Sequence, residues 1–183
     1  MGNSHLVVRI LGEEVGQSLQ WTKYSLNGKE IKSKLSLAAD IVKAIEEGAD
    51  NLKVLIFVPH HLSQVRELSE PLELIERIRD ELRTIFRNSL VNDQPLHRYF
   101  RDHYGKSLES ALKLVVVESM GKWILENERV SFTGEPLWVA LRMLLHIVEE
   151  FRALKGKRTL VMDRTHCHSF YVIPSFVALE LAK

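Results

Sequence analysis

The chain carries a single cysteine, Cys167, among 183 residues. That excludes an internal disulfide framework and fits a reducing, cytoplasmic setting. No apolar run approaches the roughly 20 residues that span a bilayer, and residues 1–6 lack the apolar core of a secretory signal. A myristoylation signal is missing too, because Leu6 stands where Ser or Thr is required after Gly2. Charge of one sign is also scarce: 25 Lys and Arg against 24 Asp and Glu leave a formal net charge of +1. Such a chain has no global basic field for nucleic acid, although a local pocket for a small anion is open to it. With no Pro/Gly linker, internal repeat or low-complexity tract, residues 1–183 read as one domain with a substantial core.

What the chain does have is a series of short apolar runs separated by helical patterns. Residues 6–12 form a buried strand closed by Gly12. Residues 21–26 alternate, Asn27-Gly28 is a strong hairpin signal, and residues 29–34 return as its second strand. Ser36 caps a helix through Glu47, with Leu37, Ile41, Ala44 and Ile45 on one face and Gly48 as terminator. Residues 52–58 form a second apolar strand, stopped by Pro59. Pro71 opens a helix whose stripe is Leu72, Ile75, Ile78, Leu82 and Ile85. Residues 92–106 are polar and carry no clear pattern.

A third apolar strand covers 112–117, and 121–134 read as a β excursion around Asn127. In the helix over 135–154, Leu137, Trp138, Leu141, Leu144, Leu145, Val148 and Phe151 repeat at helical spacing, and Gly156 follows. A fourth strand over 159–162 and a helix over 171–181 close the chain. The order predicts an α/β fold, a Rossmann-like, mainly parallel sheet with helices on both faces and a β-hairpin insertion.

The polar turn after the last strand, residues 163–169, is the most informative stretch. It holds Asp163, Arg164, Thr165, His166, Cys167, His168 and Ser169 between a strand and a helix. In open α/β sheets ligands collect at the carboxyl ends of strands, and a helix N-terminus there favours anions. The turn after the first strand, with Gly12, Gly16, Gln17 and Ser18, faces the same crevice if the two strands are neighbours. It has neither a dinucleotide nor a P-loop glycine pattern.

His166, Cys167 and His168 do not make the spacing of a structural zinc site, and no metal or other cofactor is expected. Nothing places a base against Cys167 as a nucleophile. Arg98 and His103 have the R-x4-H spacing of metal-independent ribonucleases, and Arg142 and His146 lie one residue closer, where a solvated i, i+4 pair is the simpler account.

Asp163-x-Thr165-His166 after a final apolar strand resembles the DxTHG motif of CRISPR-associated Rossmann-fold (CARF) domains, the sensor half of CARF-HEPN ancillary ribonucleases of type III CRISPR systems. The first strand with its hairpin, the strand ending at Pro59, and the segment 121–134 before a long helix are similar as well. Cys167 replaces the Gly of that motif, and His168 and Ser169 depart from the usual continuation.

The resemblance implies a sensor of cyclic oligoadenylate, with cyclic tetra-adenylate the favoured ring, bound in a pocket across a homodimer. Gly12, Gln17 and Ser18 would line one side, and Arg164, Thr165, His166, Cys167, His168 and Ser169 the other. Trp21 or Tyr171 would stack on adenine. Because no HEPN or winged-helix segment follows, the chain is expected to be a stand-alone sensor or part of a longer one. A metal-independent ring nuclease assisted by Ser18, Lys23 and His166 is the enzymatic alternative. A third reading is an RNA-cleaving enzyme using Arg98 and His103, the one case in which RNA is a partner.

Overall fold

Parallel pairing on both edges buries β1 (Asn3–Ile10) from Ser4 onward, which is why the strand reads as a continuous apolar run. A computed structural model gives the structure, which describes residues 2–11, 22–26, 29–33, 37–59, 94–125 and 128–163 together with Tyr171 and Ser175. β2 (Thr22–Leu26) and β3 (Lys29–Ser33) form a two-stranded antiparallel hairpin, as the alternation and the Asn-Gly pair predict. α1 (Leu37–Glu46) follows, then β4 (Asn51–Pro59), whose last residue is the predicted proline stop. The predicted cap Ser36 and the helix opening at Pro71 lie outside the described residues.

After α2 (Gln94–Tyr104) come β5 (Leu112–Val117), the antiparallel hairpin β6 (Met120–Leu125) and β7 (Glu128–Thr133), α3 (Pro136–Arg152) and β8 (Lys157–Asp163). The segment that sequence analysis left without a pattern is thus partly helical. Leu96 and Phe100 of α2 are fully buried and Tyr104 packs on the same core, an i, i+4, i+8 series diluted by His97, Arg98, Arg101 and His103. Tyr171 and Ser175 are helical, in keeping with the predicted terminal helix.

The main sheet has the order β5-β4-β1-β8 and every pair is parallel. This is the expected Rossmann-like architecture. Val7, Val54, Ile56 and Val58 point to one face, where α1 and α2 supply Ile41, Leu37, Leu96 and Phe100. Leu6, Val8, Ile10, Leu55 and Phe57 point to the other, against Val139, Met143 and Ile147 of α3. Lys53 and Lys113 reach Glu150 at 2.6 and 2.8 Å and tie the end of α3 to β4 and β5. Gly156, at φ 80°, turns the chain into β8, where a Cβ would overlap the Gly2 carbonyl.

The order has one reversal. From β1 the chain moves outward to β4 and β5, then returns to the opposite side of β1 for β8. The switch point therefore lies between the carboxyl ends of β1 and β8.

α3 is apolar on two sides. Its buried face is Val139, Ala140, Met143 and Ile147, whereas Leu137, Trp138 and Leu145 are 61%, 62% and 69% exposed. Met143→Ala is expected to lower unfolding free energy by about 2–4 kcal/mol, and Leu145→Ala by less than about 0.5 kcal/mol. Urea denaturation of the two variants checks this, and equal losses would contradict the packing described.

Candidate functional site

The last paired residues of β1 and β8 set the site. Arg9 is the Cα partner of Asp163, one residue before β1 ends at Ile10 and at the final residue of β8. Leu11 N–H still donates to the Phe57 carbonyl at 2.9 Å, so main-chain pairing with β4 reaches at least to Leu11. The two segments that sequence analysis singled out, 12–20 and 164–169, therefore start from neighbouring strands at one edge. Gly12, Gln17, Ser18, Trp21, Arg164, Thr165, His166, Cys167, His168 and Ser169 themselves lie outside the described residues.

Beneath this edge is a buried charge cluster that sequence analysis did not pick out. Arg9 is 1% exposed and its guanidinium donates to the Asp163 carboxylate, which is 8% exposed. Both project to the α1 face, since Val7 and Val161, two residues earlier in each strand, lie on that side. A charge buried this deeply is tolerable only with an opposite charge against it. Asp40, from the first turn of α1, brings a second carboxyl that shares a hydrogen bond with Asp163.

Burial, then repulsion and hydrogen bonding from Asp163, push the Asp40 pKa up to about 7, against smaller opposing attraction from Arg9 and Lys43. Asp163 sits on the guanidinium, so Asp40 is the carboxyl whose protonated form the cluster favours. With Asp40 protonated the cluster is neutral: one guanidinium, one carboxylate and one carboxylic acid.

Two signals in the sequence point to this cluster. Arg9 is a lone charge inside an otherwise apolar strand, and such a residue needs an acid at the end of an adjacent strand. Asp40 falls three residues after Leu37 and four before Ala44, on the buried side of its helix.

Other named residues fall elsewhere. Lys23 of β2 is exposed, with Nζ 3.0 Å from a Glu30 carboxylate oxygen, an exposed pair of small energetic weight. Tyr171 is fully buried in the core on the α3 face, and its hydroxyl donates to the Glu118 carbonyl at 2.9 Å. It cannot stack on a ligand base, which corrects the expectation for that residue. Arg98 and His103 are both exposed on α2. Five residues apart, they stand roughly 140° apart around the helix. Arg142 pairs with Glu118 at 3.8 Å and His146 with Glu149 at 3.4 Å, so each meets its own carboxylate and the two do not pair with one another. Among the described residues no three His, Cys, Asp or Glu side chains gather as a metal site, and no helix is long and apolar enough to cross a membrane.

The proton on Asp40 has a consequence for stability. A carboxyl whose pKa is raised on folding contributes fully below its unfolded value near 4, and that contribution is lost as pH rises through 7. Unfolding free energy is expected to fall by up to about 1.4 kcal/mol per pH unit across that window, and Asp40→Asn to flatten the slope. Arg9→Met leaves Asp163 buried without its cation and is expected to cost about 3–5 kcal/mol. Chemical denaturation at pH 5, 6, 7 and 8 reads both, and an unchanged slope in Asp40→Asn would show that the proton is elsewhere.

A search among curated proteins finds no match. The family model described as CRISPR system endoribonuclease Csx1, CARF domain, matches residues 6–183, nearly the whole chain, from β1 through the segment beyond β8. The parallel sheet with its switch point at the β1–β8 edge agrees with that match. The chain belongs to the Csx1 CARF-domain family and is a CRISPR-associated domain of the class that senses cyclic oligoadenylate.

Proposed function

We propose that this protein binds cyclic oligoadenylate, with cyclic tetra-adenylate the favoured ring, at the carboxyl edge of β1 and β8, and that two copies close around one ring. The observation that carries the reading is the parallel register of β1 with β8 in a chain of the CARF family. That register starts the two polar segments side by side at the switch point. Gly12, Gln17, Ser18 and Trp21 contact the ligand from the first segment. Arg164, Thr165, His166, Cys167, His168 and Ser169 contact it from the second.

The residue types suit the ligand. Hydroxyls and ring N–H groups donate to phosphate and ribose oxygens, Arg164 adds a charge-assisted donor, and Trp21 offers a face for adenine. A ring with twofold symmetry matches an isologous dimer, in which each copy presents the same two segments. The role assigned is sensing: the ring is held and the bound state is passed on.

Calorimetric titration with cyclic tri-, tetra- and hexa-adenylate tests the proposal. Saturable binding of one tetra-adenylate ring per two chains is expected, with the ring recovered intact after prolonged incubation. Thr165→Ala and Ser18→Ala are each expected to weaken binding by about tenfold or more, the effect of losing a hydrogen bond to a charged group. Absence of heat with all three rings would reject the proposal.

A further inference from the structure

Resting on the ligand reading above, the geometry points to Arg9 and Asp40 as positioning residues of the ligand edge, which hold Asp163 at the exit of β8 and couple ring affinity to the proton between Asp40 and Asp163. Neither residue touches the ligand in this role. Both act through the strand end that carries it.

The cluster spans three elements that frame the edge. Arg9 lies on β1, Asp163 is the last residue of β8, and Asp40 is in the first turn of α1. The ion pair joins the final cross-strand partners, so the spacing of the two strand exits is held by a guanidinium and a carboxylate. An Arg fork is directional, and it fixes the partner carboxylate in position more tightly than an apolar contact does.

Its charge state is also poised. With Asp40 protonated the cluster is neutral, and with Asp40 ionised it carries one net negative charge beneath a site that takes a phosphate ring. That charge opposes an anionic ligand across a low-dielectric layer, and Asp40 then competes with Asp163 for the guanidinium. Binding of the ring therefore favours the protonated cluster, and by linkage affinity falls as pH rises through 7.

Among the described residues, the charged groups facing Asp40 are few. Arg9 faces it from β1, Asp163 from β8, and Lys43 from α1 itself. Lys43 lies 3.9 Å from Glu47. On β2, which packs against α1, Lys23 is bound to Glu30. On α2, Arg98, Arg101, Asp102 and His103 are exposed. His166 and His168 belong to the proposed ligand segment and are common to wild type and Asp40→Asn. The informative quantity is therefore the difference between two profiles.

The experiment is calorimetric titration of cyclic tetra-adenylate into the wild-type chain and Asp40→Asn at pH 6, 7 and 8. The loss of affinity from pH 6 to 8 is expected to be about fivefold larger in the wild type, with the curves separating above pH 7. Parallel curves would overturn the inference while leaving the ligand reading standing. No binding by the wild type at pH 6 would overturn both. Arg9→Lys keeps the charge and loses the fork; titrated at pH 6 well below its melting temperature, it is expected to bind about tenfold more weakly. Wild-type affinity in that variant would remove Arg9 from the role.

Discussion

The buried ion pair between Arg9 and Asp163 is the constraint on which the functional edge depends. β1 and β8 are separated by nearly the whole sequence, and their pairing is what creates the switch point. Apolar pairs hold the middle of the two strands together, Leu6 with Leu160, Val7 with Val161 and Val8 with Met162. At the last register position the contact changes character, to a guanidinium and a carboxylate almost without solvent. A buried pair of this kind adds little net stability compared with apolar residues, but it penalises every arrangement that separates its partners. It defines where the sheet stops and where the polar segments begin.

Asp40 extends that constraint from the sheet to the helix above it. The packing of α1 on β1 and β8 brings a third charge into a space that tolerates only a neutral sum. A proton resolves the conflict, and so the base of the ligand edge carries a titratable group near neutral pH. On the opposite face of the sheet the same edge is held differently. Tyr171, beyond β8, is buried in the core and hydrogen-bonded to the Glu118 carbonyl, and Glu118 also pairs with Arg142 of α3. Asp163 and Tyr171 are thus fixed on opposite faces of the sheet.

Helix α3 shows how periodicity can be right about an element and silent about its environment. Its apolar residues at helical spacing locate the helix correctly. The stripe named from the sequence includes Leu137, Trp138 and Leu145, which are exposed, while the sheet is covered by Val139, Ala140, Met143 and Ile147. A helix apolar on two sides gives no local indication of which side meets the core, because both satisfy the 3.6-residue period. The converse holds for α2, where three buried residues are enough to dock a helix that looks polar in composition.

Local pattern alone determined the strands β1, β4, β5 and β8, the hairpin at Asn27-Gly28, helices α1 and α3, and the α/β class, since each rests on burial period or turn chemistry within a few residues. The two polar segments were legible for the same reason: each is a cluster of hydrogen-bonding side chains directly after an apolar strand. Only the tertiary structure decided that β1 lies between β4 and β8, that Tyr171 belongs to the core, and that Arg9, Asp40 and Asp163 form one cluster. These three residues come from distant parts of the chain. Their chemistry exists only once the sheet register brings them within hydrogen-bonding distance and removes the water that would otherwise screen them.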